Sequence, residues 1–197
     1  MKSSHNSRDH LDERGIIFLW GTITDEAAES VCSRIIEANI NSRLPHIQLL
    51  INSAGGSCHA GFAIIDMMNW SKLPVHTAGF GMVGSMAALI FAAGTPRHRA
   101  LTPTTALLVH HFHSLSAGNY PNLISTRKYE DFLHERTVTH LMNHSNLTSR
   151  NDILKHLLRD TDTWLTPDDA IRYGLADTIQ TRLNHPETDT THRSLTP

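Results

Sequence analysis

Residues 49–68, LLINSAGGSCHAGFAIIDMM, carry the strongest fold signal in the chain. They begin inside an apolar run, residues 46–51, that indicates a buried strand, and they end in an amphipathic segment, residues 58–70, that indicates a helix. Between the two lie Gly55 and Gly56, where the backbone can approach a ligand closely and direct its N–H groups toward it. A strand, a glycine turn and a helix in this order predict one unit of an α/β fold.

The same alternation extends to both sides of this unit. Further strands are predicted at residues 15–20, 75–80 and 106–109, and further helices at residues 24–41, 85–93, 123–142, 152–158 and 166–173. Strands that alternate with helices predict an α/β fold with a largely parallel sheet and flanking helices. Because the strands are apolar runs rather than strictly alternating segments, we expect the sheet to be covered on both faces.

The chain has 197 residues, which suits one domain. Residues 1–14 are polar and predict a mobile N-terminal arm. Residues 184–197 are rich in Thr, Pro and His without any period, and they predict a disordered tail. The predicted domain spans residues 15–183, in which no composition shift marks a linker.

Composition excludes several classes of function. The net charge of −2 gives no electrostatic footprint for nucleic acid or an anionic membrane. The longest apolar stretch, residues 82–94, is too short to span a bilayer, and residues 1–14 lack the apolar core of a signal peptide. The two cysteines form neither a disulfide framework nor a CxxC zinc motif. We therefore expect a soluble cytoplasmic protein without a metal or cofactor.

Candidate functional side chains follow the predicted strands, at the sheet edge where α/β proteins place their sites. Ser85 begins an apolar helix, whose N-terminus favours a developing oxyanion. His110 ends the strand 106–109, and Asp160 follows a helical segment. Together with N–H donors of the glycine turn, these residues supply the components of a serine hydrolase.

Each of these residues also has a plainer interpretation. Ser85 alone is an ordinary helix N-cap, and Asp160 alone is part of a solvated turn. His110 lies near His111 and His113, which raises the possibility of a metal site, or simply of surface histidines. No cysteine or carboxylate stands at a ligand spacing from them, which weighs against the metal.

Several motifs in order resemble the proteolytic-subunit family of the Clp protease (ClpP). The resemblance covers residues 15–179 and rests on residues 49–68 and on the stretches IIFLWGTITD (16–25), GFGMVGSMAALIFAAG (79–94), LLVHHF (107–112), LMNHS (141–145) and LTPDDAIRYGLADTI (165–179). It implies the ClpP/crotonase-like fold, in which layers of largely parallel sheet carry flanking helices and a protruding handle helix. The handle would be the helix 123–142.

The resemblance also implies roles for individual residues. Ser85 would be the nucleophile, His110 the general base and Asp160 the carboxylate that orients it. The backbone N–H groups of Gly56 and Met86 would form the oxyanion hole. Because the segment between Asp160 and Trp164 is shorter than the family pattern, Asp162 remains an alternative to Asp160.

In this family, seven subunits form a ring, and two rings stack into a tetradecamer around a closed chamber that cleaves polypeptides. Segment 111–122 would pair with bound peptide by strand addition. A separate AAA+ ATPase unfoldase would feed the chamber, since the chain itself has no phosphate-binding GxxxxGK[ST] loop. The arm of about 14 residues is shorter than the family pattern, which puts docking to a standard unfoldase in question.

Two other functions compete with a serine endopeptidase. One is a catalytically silent or partner-activated ring subunit of a mixed Clp assembly, although such subunits usually lose triad residues. The other is a crotonase-like protein that holds the thioester of a coenzyme A substrate, although no clear adenine-binding segment is present. Two measurements distinguish the three functions: peptide hydrolysis by the isolated ring and binding of coenzyme A.

Overall fold

Strands and helices alternate along the part of the chain that the computed structural model describes, which is residue 11 and residues 14–40 and 44–182. The predicted arm (1–14) lies outside these residues except for Leu11 and Arg14, and the predicted tail (184–197) lies wholly outside them. Within the described chain, no helix combines the length and the hydropathy needed to cross a bilayer.

Every strand and helix predicted from the sequence is confirmed. The strands are Ile16–Trp20 (β1), Ile47–Ser53 (β2), Val75–Gly84 (β3), Arg99–Leu101 (β4), Ala106–Val109 (β5), Thr163–Leu165 (β6) and Thr178–Ile179 (β7). The helices are Asp25–Ile40 (α1), Cys58–Trp70 (α2), Met86–Ala92 (α3), Tyr120–Asn143 (α4), Arg150–His156 (α5) and Pro167–Arg172 (α6). Strands β4, β6 and β7 were not predicted, because a strand of two or three residues shows no hydrophobic periodicity.

The seven strands form one sheet that is parallel except at β6. Its main order is β1-β2-β3-β4-β7, and β5 pairs with β3 on one side and with antiparallel β6 on the other. Strand β3 changes partner along its length: residues 77–79 pair with β4, and residues 82–84 pair with β5. β3 therefore runs beyond its predicted end at residue 80 and carries the chain to Ser85.

One face of the sheet is buried and the other is only partly covered within a single chain. Burial alternates along β2, where Ile47, Leu49 and Ile51 are buried while Gln48 and Leu50 are half-buried. On β1, Phe18 is 39% exposed and Trp20 is 54% exposed. The expectation that both faces would be covered is therefore wrong for the described part of the chain, in which no helix covers the apolar side chains of the second face.

Helix α4 is only half packed against the core. Asn119 caps its N-terminus by accepting a hydrogen bond from the N–H of Asn122. Its first half exposes large apolar side chains, namely Tyr120, Leu123, Ile124, Tyr129 and Phe132, whereas its second half buries Leu133, Val138 and Leu141. Helix α4 therefore has the form of the predicted handle. It begins at Tyr120, three residues before the predicted start at residue 123.

A nearly buried ion pair ties the C-terminal strand to the sheet. The Arg99 guanidinium donates to Asp177 from Nη2 (2.7 Å) and from Nε (2.9 Å), and its Nη1 donates to the carbonyl of His144 (3.0 Å). Burial by itself raises the pKa of Asp177, but the hydrogen bonds from Arg99 outweigh burial and hold that pKa below its ordinary value.

Replacing Asp177 with asparagine is expected to lower the free energy of unfolding by about 3–5 kcal/mol, because it leaves the Arg99 charge buried without its partner. Chemical denaturation measures the loss. Asp66→Asn is the control, since it breaks an ion pair of similar length with Arg136 (3.1 Å) that is exposed and contributes about 0–1 kcal/mol. Equal losses in the two variants would contradict the importance of the buried pair.

Candidate active site

Ser85 occupies a strained turn between β3 and α3. Its φ of 54° and ψ of −124° lie in a region that residues other than glycine rarely adopt. Its N–H donates to the carbonyl of Leu108 (2.8 Å), and all seven residues of α3 are buried. The turn is therefore fixed from both sides, and it holds a half-buried serine at the carboxyl end of a strand. Serine hydrolases use a strained strand-to-helix turn of this kind to expose their nucleophile.

The glycine turn after β2 packs directly against Ser85. Gly55 has φ +106°, and a Cβ atom at this position would lie 2.7 Å from the Ser85 Cβ and 3.1 Å from the Met86 nitrogen. Gly56 bridges to Ile23, but the bridge uses the Gly55 carbonyl and the Ser57 N–H. The Gly56 N–H takes no part in it, and the Met86 N–H, in the first turn of α3, has no partner within that helix. The two predicted oxyanion donors thus belong to segments that touch beside Ser85.

His110 follows β5, the strand next to the end of β3. The register pairs Gly84 with Leu108, so Ser85 and His110 emerge from neighbouring strands at the same edge of the sheet. The imidazole is 14% exposed, and its Nδ1 is buried without a hydrogen-bond partner. No hydrogen bond joins the Ser85 hydroxyl to this ring in the described chain.

The carboxylate beside His110 is that of Asp162. Antiparallel pairing of β5 with β6 matches Val109 with Thr163, so Asp162 lies opposite His110 one step further along the ladder. The distance from His110 Nδ1 to Asp162 Oδ1 is 3.7 Å, which is longer than a hydrogen bond. Asp160 precedes Asp162 by two residues and has no oxygen within 4.0 Å of a ring nitrogen of His110. The geometry favours Asp162 over Asp160, and the assignment of Asp160 stays a prediction.

Electrostatics keep the His110 imidazole neutral near pH 7. Burial is the largest cause and lowers its pKa below the ordinary 6.5. The Asp162 carboxylate raises this pKa, whereas the neighbouring His113 and His111 lower it further. A neutral imidazole is the form that accepts a proton from a nucleophile.

The other two histidines of this segment point to different sides, as the alternation of a strand predicts. The His113 ring lies 5.0 Å from that of His110, and the His111 ring stacks on His134 of α4 at 5.5 Å. Among the described residues, no group of histidine, cysteine and carboxylate side chains is arranged to hold a metal ion. These histidines line the site and attach it to the handle helix.

A contact that the sequence did not reveal fixes the segment after His110. Ser114 and Ser116 both hydrogen-bond to the Glu130 carboxylate on α4, the latter at 3.0 Å. The two serines are exposed and Glu130 is half-buried. Their spacing along the chain gives no signal, because the contact depends on how the segment folds back along the helix. The segment predicted to bind peptide is therefore attached to the handle.

Comparison with known proteins agrees with this architecture. The family model described as Clp protease matches residues 2–182. A Deinococcus radiodurans protein named ATP-dependent Clp protease proteolytic subunit is 31% identical over 185 residues, which cover 92% of this chain and 88% of that protein. Two proteins named ATP-dependent Clp protease proteolytic subunit 2 are similar. The one from Cutibacterium acnes is 31% identical over 83% of this chain and 76% of its own length, and the one from Corynebacterium efficiens is 30% identical over 90% and 88%.

The fold and the comparisons together place the chain in a class of α/β proteins with a largely parallel sheet, flanking helices and a protruding helix. The chain belongs to the Clp protease family. The family resemblance inferred from the sequence motifs is thereby confirmed.

Proposed function

We propose that the protein is a serine endopeptidase that hydrolyses peptide bonds with Ser85, His110 and a carboxylate. The observation that carries the proposal is the placement of Ser85 on a strained turn, beside Gly55 and at the same sheet edge as His110. Membership of the Clp protease family supports the same reaction class.

The positions of these groups support the following reaction. His110 accepts the hydroxyl proton as Ser85 attacks the carbonyl carbon of the scissile bond. The N–H groups of Gly56 and Met86 stabilise the oxyanion of the tetrahedral intermediate. His110 then gives the proton to the leaving amine, and water hydrolyses the acyl-enzyme by the same steps. The carboxylate, which we assign to Asp162, stabilises the imidazolium and fixes its orientation.

The assembly that we propose is a pair of stacked seven-membered rings around a chamber in the cytoplasm. Two exposed apolar surfaces of the described chain support it: the edge strand β1, with Phe18 and Trp20, and the first half of α4, with Tyr120 and Phe132. Exposed apolar surface of this kind indicates contacts between subunits. We also propose that a separate AAA+ ATPase delivers unfolded polypeptides; the Deinococcus radiodurans relative is named as a subunit of an ATP-dependent protease.

The first experiment separates the purified protein by size and measures hydrolysis of a fluorogenic peptide across the fractions. We expect activity to coincide with a ring-sized particle, without ATP, because short peptides need no unfolding. Activity confined to the monomer would contradict the chamber, and activity that survives a serine-directed phosphonate would contradict the reaction type.

A second candidate function is a ring subunit that a partner activates. The specific observation in its favour is the resting geometry, in which His110 is bonded neither to Ser85 nor to Asp162. Catalytic hydrogen bonds are often long before substrate binds, so this geometry does not exclude an active enzyme. A ring that hydrolyses peptide only after another Clp subunit or an ATPase is added would identify the second candidate.

Adding a methyl group at Gly55 is expected to reduce kcat/KM by about 100-fold or more, because a displacement of about 1 Å in a catalytic group has effects of this size. The new Cβ would lie 2.7 Å from the Ser85 Cβ and 2.8 Å from the Gly84 carbonyl, so the nucleophile must move. Gly21→Ala is the matched control: Gly21 also has positive φ, +84°, but open space around it. Equal activity in the two variants would contradict the close packing.

A further inference from the structure

A ladder of three histidines lies on the open face of the sheet, away from Ser85. The rings of His46 and His76 stack 4.2 Å apart at 14°, and those of His76 and His98 stack 3.9 Å apart at 3°. The ladder arises because His76 on β3 stands between the residues that precede β2 and β4, and all three side chains project from the same face. Nothing in the peptidase mechanism uses these histidines.

The ladder forms one wall of a cavity of about 610 Å³. Two arginines, Arg97 and Arg182, also line the cavity, and donors such as Gln48, Gln180 and Thr102 complete its polar surface. None of the described lining residues is an aspartate or a glutamate. The cavity therefore gathers five groups that carry or can acquire positive charge, and its described walls hold no carboxylate to balance them.

We propose that this cavity binds a ligand through its oxyanion group, a phosphate or a carboxylate, and that the histidine ladder takes up a proton when the ligand binds. The volume accommodates a small organic anion or the side chains of a short acidic peptide segment. Arginine carries a permanent positive charge and a pair of N–H donors that bind phosphate and carboxylate groups. The proposal does not depend on the peptidase activity.

The surroundings of the ladder explain the proton uptake. Burial, together with the neighbouring rings of His46 and His98, lowers the pKa of His76 to about 4. Burial and His98 also lower the pKa of His46. The groups that face the ladder from β2, β3, β4 and β7 are neutral, and the nearby charges are the two arginines. An anion in the cavity opposes these effects, so binding raises the pKa values of His46 and His76, and affinity increases as the pH falls.

Isothermal titration of the full-length protein tests this inference with two probes, inorganic pyrophosphate and a tetraglutamate peptide. Titrations at about pH 6 and about pH 7.5, in buffers of different ionisation enthalpy, give both the affinity and the number of protons exchanged. We expect at least one probe to bind about tenfold more tightly at the lower pH with net proton uptake. The probe that binds identifies the source of the oxyanion.

Variants locate the binding. His76→Gln removes the central ring and is expected to abolish the proton uptake, while Arg97→Gln weakens binding at both pH values. His156→Gln is the control, because the His156 ring lies 5.8 Å from that of Tyr173 and does not line the cavity. If His76→Gln fails to fold, His98→Gln replaces the outer ring instead and carries the same expectation.

Three results would overturn the proposal. The first is that neither probe binds, and the second is that binding and proton uptake are unchanged in the ladder variants. The third is binding of Zn²⁺ with proton release that His76→Gln removes, since a cation site releases protons where an anion site takes them up.

Discussion

Replacing Ser85 with alanine removes peptide hydrolysis, with an expected loss of about 10⁶-fold in kcat. The Ser53 hydroxyl beside Gly55 is buried and accepts a hydrogen bond from the Gly55 N–H, so it cannot replace the nucleophile. The oxyanion donors are backbone groups and survive the substitution, so a small residual rate above that of water is expected. Peptide hydrolysis by the size-selected particle measures the effect.

The control for this variant is Ser33→Ala. Ser33 lies on α1, and its hydroxyl donates to the Glu29 carbonyl at an exposed position, so full activity is expected. The Ser85→Ala particle should keep its size, since the side chain makes no hydrogen bond that the fold needs. Substantial hydrolysis by Ser85→Ala would exclude the nucleophile that we assign.

Replacing Asp162 with asparagine is expected to lower kcat by about 10³- to 10⁴-fold, the range found for the orienting carboxylate of other serine proteases. The variant also changes the pH profile. Asp162 raises the pKa of His110, so its loss lowers that pKa further and moves the acid limb of kcat/KM to lower pH. In the wild-type protein this limb already lies below 6.5, because burial lowers the His110 pKa.

Asp160→Asn distinguishes the two assignments. It removes the carboxylate that the family resemblance implies, at a position where no oxygen lies within 4.0 Å of a His110 ring nitrogen. We expect nearly unchanged activity and an unchanged acid limb. A loss confined to Asp160→Asn would show that the segment before β6 rearranges when the site becomes active, and would return the role to Asp160.

The sequence was sufficient for the fold because each long element carried its own period or apolar run. Residues 58–70 were predicted as a helix and form α2, and residues 106–109 were predicted as a strand and form β5. Strands β4, β6 and β7 depend on pairing with distant strands, which no local pattern encodes. The uncovered sheet face was missed because an apolar residue such as Phe18 gives the same sequence pattern whether a helix or another subunit covers it.

The site was predictable in part for a similar reason. Ser85 and His110 follow strands, so their common edge could be inferred from the parallel order alone. The position of the carboxylate beside His110 could not be inferred, because it depends on the antiparallel register of β6, a strand that the sequence did not reveal. The Glu130 contacts and the ion pair of Asp177 with Arg99 likewise depend on tertiary packing between segments far apart in the chain.

Reaction of the assembled protein with a fluorophosphonate, followed by mass-spectrometric mapping of the adduct, tests the central claim most directly. The probe labels only a serine whose hydroxyl is activated by a neighbouring base. We predict one adduct per subunit, on Ser85, in the ring-sized particle, and none when His110 is replaced by alanine. An adduct on another residue, or an intact ring that stays unlabelled even with bound peptide and an ATPase partner, would contradict the account.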